Sequence, residues 1–221
     1  MSDSCQENRG GNAVPCEYRV LVLGIGNLLW ADEGFGVRCA EALHQGWRFP
    51  AEVRLMDGGT QGLYLLPHVQ AAENLLVFDA VDYGDAPGTL RVVTGDAVPR
   101  FMGAKKMSLH QTGFQEVLAA AALTGRLPSA LTLIGVQPEE LEDYGGSLSL
   151  AVRKKLPEAL DVALVWLKRW GATGERRKEN EKTPPLTDAA LALTAYERGR
   201  PDARLAWRKG DARFLNTRSG A

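Results

Sequence analysis

Arg19-Val-Leu-Val-Leu-Gly-Ile-Gly-Asn-Leu-Leu-Trp-Ala-Asp-Glu-Gly-Phe-Gly-Val-Arg38 is the stretch that decides the fold. Val20 to Leu23 is an unbroken apolar run of strand length, the pattern of a strand covered on both faces. Gly24 and Gly26 let the chain turn sharply, because glycine tolerates positive φ. Glu33 follows where Gly34 to His44 begins to repeat apolar residues (Phe35, Val37, Ala40, Leu43) at helical spacing. A strand, a tight turn and a helix together place Glu33 beyond the carboxyl end of a parallel strand, where open α/β sheets build their sites. Phe78-Asp79-Ala80 and Ser108-Leu109-His110-Gln111 offer further polar groups at the same rim.

Outward from that stretch, Glu52 to Met56 reads as a short strand closing on Asp57-Gly58-Gly59-Thr60, and Gly62 to Pro67 as a short helix. Asn74 to Ala80 is a third apolar strand. Alternating strands and helices imply right-handed crossovers and a parallel sheet. The turn cluster Tyr83-Gly-Asp-Ala-Pro-Gly88 leaves too short a connection for a crossover, so Thr89 to Thr94 is expected to run antiparallel at an edge. Pro99 to Lys106 reads as an irregular loop suited to partner choice, Thr112 to Leu123 as a helix and Leu131 to Val136 as a buried strand. Ser147 to Trp170 is helical, and Pro157 either kinks it or starts a second helix. The expected class is α/β: a twisted, mostly parallel sheet of about five strands with one antiparallel edge strand and helices on both faces. The expected division is a flexible segment over 1–17, an α/β domain over 18–171 and a C-terminal extension over 172–221. In that extension Gly174 to Pro185 reads as a linker, Thr187 to Arg198 as one more helix, and the whole as partly helical or disordered.

A hydrophobic content of 45% and a charged content of 24% are those of a globular protein with a full core. A net charge of −1 argues against a dedicated nucleic-acid binder, although it hides an asymmetry. Residues 172–221 carry 11 Lys and Arg against 7 Asp and Glu, which leaves 15 against 20 elsewhere. The start of the chain lacks the charged and apolar segments of a signal peptide, and no apolar run is long enough to cross a bilayer. A cytoplasmic protein without membrane attachment is the expectation. Cys5, Cys16 and Cys39 show no paired spacing, so neither a disulfide framework nor a cysteine zinc site is expected.

Two chemistries compete for the glycine turn. A dinucleotide fingerprint would need a third glycine at position 29, where the chain has Leu29, and Asp32 and Glu33 stand where a pyrophosphate wants no negative charge. The other is a three-ligand metal site from Glu33, Asp79 and His110. Carboxylates with imidazole suit Ni²⁺ or Zn²⁺, and three ligands leave positions open for water or substrate. Against it, Glu33 could simply complement a helix dipole, Asp32 could cap the helix, and His110 could be a surface residue. His44 and His68 read as structural or solvent-facing, and Asp82 as part of its own loop. Asp57 is either a turn residue satisfying backbone donors or a group facing substrate across its glycines.

Gly24-Ile-Gly-Asn27, Asp32-Glu33-Gly34-Phe-Gly-Val-Arg38, Asp57-Gly-Gly-Thr60, Asp79-Ala80, Pro87-Gly88-Thr89 and His110-Gln111 occur in this order over about Tyr18 to Trp170. As an ordered set they resemble the hydrogenase maturation endopeptidases, the C-terminal processing proteases of the nickel–iron hydrogenase large subunit. The resemblance implies a metal site of Glu33, Asp79 and His110, with Asp57 joining them in catalysis. It also implies a nickel-dependent cut that removes the C-terminal extension of the precursor after nickel insertion. The Ni²⁺ would arrive with the precursor, and other divalent ions would be able to take the site in isolation. The metal could act as a Lewis acid, activate a water or only position the substrate, with Asp57 or a triad carboxylate as base. The alternative is a nickel-sensing chaperone that binds the precursor without cleaving it.

Overall fold

Strand β1 (Tyr18–Ile25) has a neighbour on each side, and Val20, Leu21, Val22 and Leu23 are all 0% exposed. The computed structural model describes residues 16–102, 109–178, 181 and 183–200, with backbone alone at 101, 102 and 109–112. Helix α1 (Phe35–Gly46) leads to a short strand β2 (Trp47–Arg48) and then to β3 (Val53–Gly59). Helix α2 (Leu66–Gln70) leads to β4 (Ala72–Ala80) and β5 (Leu90–Thr94). Helices α3 (Ala97–Met102) and α4 (Leu109–Leu123) come before β6 (Ala130–Val136). Helices α5 (Leu150–Arg153) and α6 (Leu156–Arg169), strand β7 (Glu175–Arg176) and helix α7 (Leu193–Gly199) complete the described chain.

The main sheet has the order β3-β1-β4-β6-β5, with β5 antiparallel and the other four strands parallel. The expected antiparallel edge strand is therefore present. Its partner is β6, which enters between β4 and β5 rather than leaving them adjacent. Gln137 enforces that insertion: its main chain exchanges bonds with Gly88 and Thr89, and its side-chain Oε1 accepts the Tyr83 and Asp85 N–H groups.

Side-chain alternation divides the apolar residues between two cores. Leu21, Leu23, Leu75, Val77 and Leu133 pack beneath α2 and α4, against Val69, Phe114 and Leu118. Val20, Val22, Leu76, Phe78 and Ile134 face α1 and α6, against Phe35, Leu43, Ala163 and Leu167. Each fully buried Leu, Val or Phe is worth about 1.5–3 kcal/mol, so these faces fix the register of the strands. Cys39 lies in the second core, where burial pushes its thiol well up.

The structure departs from the sequence reading in several places. Pro99 to Met102 is helical within α3 rather than loop, and 103–106 lie outside the described residues. Pro99 is the third residue of that helix, where its missing N–H would have had no helical partner anyway. Of the two readings of Pro157 the second holds, since it stands in the first turn of a separate helix α6. The segment read as a linker carries β7, which pairs with β2 and sets the Arg176 guanidinium over the Trp47 ring at 5.5 Å. Thr187 to Arg198 divides into a 3₁₀ turn, Ala189–Leu191, capped by Asp188, and the helix α7. Cys16 is disulfide-bonded rather than free. Among the described residues no helix is long and apolar enough to cross a membrane.

Candidate active site

The connections after β1 and β4 leave in opposite directions, β1 toward β3 and β4 toward the far side of the sheet. A crevice opens beyond the carboxyl ends of two such strands. Glu33 lies past the end of β1 in a 3₁₀ turn, Ala31–Gly34, and Asp79 is the penultimate residue of β4. Two glycines allow this crowding. Gly26 has φ +134°, and a Cβ there would fall 1.8 Å from the Glu33 carbonyl oxygen. At Gly36 a Cβ would lie 2.2 Å from the Phe78 carbonyl oxygen and 2.3 Å from that of Ile25. The start of α1 thus rests directly on the ends of β1 and β4.

Asp32 and Glu33 are neighbours with different work. Asp32 is 0% exposed, and its Oδ2 accepts the N–H groups of Glu139 and Glu140, both at 2.9 Å. Its Oδ1 accepts the Ser149 N–H at 2.7 Å. Asp32 therefore fastens the glycine turn to the loop after β6 and does not cap α1. The clamp holds Ala31 at φ +38°, a left-handed conformation that costs a non-glycine residue about 1–2 kcal/mol. Glu33 is only half-buried. Gly145 N–H bonds the Leu29 carbonyl at 2.7 Å and the Trp30 ring meets Tyr144 edge-on at 5.2 Å, so Tyr144-Gly145 packs against the glycine turn at this rim.

Asp79 is 0% exposed and sits in register with Gly135 of β6. It shares strand parity with Leu75 and Val77, which puts it on the α4 side of the sheet. The Tyr83 hydroxyl would lie 2.0 Å from a Cβ at Gly135, one strand over from Asp79. Burial, then the Asp79 charge, pushes that phenol up. Asp82 belongs to its own loop, as expected: its Oδ1 accepts from Gly84 N–H and the Gln137 amide. His110 is the second residue of α4, and its side chain lies outside the described atoms. One turn later Gly113 packs against Gly62, just past the end of β3, so α4 starts at the same rim. Among the described side chains no group of three metal-ligating residues gathers.

Asp57 stands apart. It pairs in register with Gly24, as does Phe78 on the other side, so it lies about two strand spacings, roughly 10 Å, from the end of β4. A Cβ at Gly58 would meet Ile25 and Leu65 on the α4 side, so Asp57 points to the opposite side, toward α1. Its Oδ1 is buried with no hydrogen-bond partner among the described residues. Burial raises this carboxyl above the usual range, and Glu41 adds to the rise. The Gly59 N–H and the Arg38 guanidinium oppose it. That Asp57 and Asp79 lie on opposite faces follows from which residues of β3 and β4 pair with Gly24, a register that the separate strand patterns do not specify.

Two further residues escaped the sequence reading. Arg38 is 5% exposed, donates to the Leu191 carbonyl and lies 5.4 Å from the Tyr196 ring centre. Glu41 accepts the Leu186 N–H at 2.7 Å. His44, read as structural, contacts the Pro184 carbonyl at 3.0 Å. The extension therefore straps the outer side of α1.

The fold and site define a three-layer α/β protein with Glu33 and Asp79 at the ends of the two strands that flank the switch point of the sheet. Residues 37–166 match the hydrogenase maturation protease family, and the chain belongs to it. It is 63% identical to the hydrogenase expression/formation protein HoxM of Azotobacter vinelandii over 89% of this chain and 94% of that one. It is 60% identical to HupD of Rhodobacter capsulatus over 89% and 93%. Among solved structures it resembles the hydrogenase maturating endopeptidase HybD from Escherichia coli, with a TM-score of 0.69 and 39% identity. That match covers 72% of this chain and 98% of the other.

Proposed function

We propose that this chain is a nickel-dependent endopeptidase that removes the C-terminal extension of a nickel–iron hydrogenase large-subunit precursor after nickel has been inserted. Family membership supports the processing reaction. What supports the site is the placement of its carriers: Glu33 just past β1, Asp79 near the end of β4 and the first turn of α4, which bears His110, all belong to the switch-point end of the sheet. Two carboxylates and one imidazole suit a borderline divalent cation, and without thiolate their intrinsic affinity is modest. Glu33, Asp79 and His110 would complete the coordination of nickel carried by the precursor, which when bound there supplies Lewis acidity. Other divalent ions would enter the isolated site through the same donors.

Asp57 is too far from Asp79 to share that ion. Its unpartnered Oδ1 and raised carboxyl suit it to orient the substrate chain or to take a proton at that oxygen. Gly58 and Gly59 carry no side chains that would obstruct an extended segment. We propose the cytoplasm as the compartment of this reaction.

The test is a mass-spectrometric cleavage assay on the precursor, with and without verified nickel, using wild type, Glu33→Gln, Asp79→Asn and His110→Ala. Shortening by wild type alone and only with nickel supports the assignment. Binding without shortening transfers it to a nickel-sensing chaperone. Normal processing by any one variant removes that residue from the ligand set.

A further inference from the structure

Arg38 has three acids around it and touches none of them through a described hydrogen bond. Asp57 pairs in register with Gly24, against which Gly36 and Val37 rest, so it lies under the start of α1 next to Arg38; Glu41 on the same helix and Glu197 on α7 also act on the guanidinium. The guanidinium is instead engaged by the strap, through the Leu191 carbonyl and the Tyr196 ring. The strap is well anchored at both ends. Pro184 and Leu186 attach to His44 and Glu41 of α1, while Glu197 holds Ser147 and Arg153, each at 2.7 Å. Asp57 meanwhile keeps a buried carboxylate oxygen without a partner. A guanidinium free to move beside such an oxygen would normally close on it as a charge-assisted pair, because a buried, unsatisfied acceptor is costly.

We propose that Arg38 is a positioning residue for Asp57, and that the strap of residues 183–200 holds it near that carboxylate without letting the two form a direct ion pair. The inference rests on the reading that Asp57 serves the active site. The strap keeps Asp57 beside a positive charge yet leaves its buried Oδ1 without a hydrogen-bond partner. The extension thereby becomes part of the active centre through Arg38, without contacting the substrate. It also explains why Arg38 is buried although its charge is not paired at close range: the Leu191 carbonyl and the Tyr196 face take up the donors that Asp57 would otherwise consume.

The test follows the Asp57 carboxyl directly by carbon-13 NMR titration of the full-length protein. The variants are Arg38→Met, Arg38→Lys and Tyr196→Ala, each also assayed for the pH profile of precursor cleavage. Arg38→Met removes the nearby positive charge, and Asp57 then titrates at higher pH than in wild type. Tyr196→Ala loosens the guanidinium so that it closes on Oδ1, and Asp57 titrates at lower pH. Arg38→Lys moves the titration back toward wild type. The acid limb of the cleavage profile moves in the same directions. If Asp57 titrates as in wild type in both Arg38→Met and Tyr196→Ala, the proposal is wrong. If Arg38→Met does not fold, Tyr196→Ala and Arg38→Lys decide it. Shifted titrations with no cleavage by any form would overturn the protease reading and leave the positioning role standing.

Discussion

Replacing Asp32 and Glu33 in turn separates stability from function within two consecutive residues. Asp32 receives three backbone N–H groups at 2.7–2.9 Å and is 0% exposed. A hydrogen bond to a charged group contributes about 1.5–3 kcal/mol. In Asp32→Ala two of the freed donors, on Glu139 and Glu140, belong to exposed residues and can bind water, whereas Ser149 is half-buried. The three contributions therefore do not add in full, and the net loss is about 3 kcal/mol. For a chain of this size each kcal/mol moves Tm by about 2–4 °C, so Asp32→Ala melts about 6–12 °C below wild type. Asp32→Asn loses less, since one oxygen still accepts, but its amide must face a donor. Glu33→Gln, a nearly isosteric change at a half-buried position, melts within about 2 °C of wild type. Differential scanning calorimetry beside the cleavage assay reads both quantities. Asp32→Ala should be unstable and, while folded, still process precursor to a measurable extent. Glu33→Gln should be stable and inactive. An Asp32→Ala protein as stable as wild type would refute the clamp, and an unstable Glu33→Gln would refute the division of labour.

Three further outcomes are expected. Gly36→Ala would place its methyl 2.2 Å from the Phe78 oxygen, so α1 must lift from the sheet; soluble yield or Tm should fall by the equivalent of several kcal/mol, about 3 or more. Gly135→Ala would strike the Tyr83 hydroxyl at 2.0 Å, and Tyr83→Phe in the same chain should recover part of the lost Tm, because the nearest remaining ring carbon lies at 2.9 Å. Asp57 carries a raised carboxyl, so the folded state binds its proton more tightly than the unfolded state does. Its contribution to stability is best at low pH and declines as pH rises from the unfolded value through the raised folded one. Asp57→Asn should therefore melt at or above the wild-type temperature at pH 7 while cleaving more slowly, and a clear loss of Tm would show that the carboxylate is a structural acceptor instead.

Much of the fold was legible because the signals were local and repeated. Val20 to Leu23, Asn74 to Ala80 and Leu131 to Val136 are apolar runs that only a doubly covered strand accommodates, and all three lie inside the sheet. What could not be read depended on partners distant in sequence. Gln137 directs β6 between β4 and β5 through contacts with residues more than fifty positions earlier. Residues 183–200 look solvated by composition, yet they fold onto α1 through Glu41, His44 and Arg38, each about 140–150 positions away. Asp32 and Glu33 are equivalent in a sequence motif, and only the loop after β6 tells them apart.

The two faces of the sheet give the site its logic. Asp79 and the first turn of α4 share one face, and Asp57 with Arg38 and the strap shares the other. Only the rim between them, roofed by the Gly26–Glu33 turn, has access to both. An extended chain lying across that rim passes from the Glu33 and Asp79 carboxylates to Asp57 within about 10 Å, the length of three residues or so. A metal-bearing segment and the peptide bond beyond it can thus be read by different carboxylates at the same time. On the proposed reading, the burial of Asp79, the unpartnered Oδ1 of Asp57 and the separation between them would be three parts of one requirement: the ion and the scissile bond would be recognised together, but not by the same oxygen atoms.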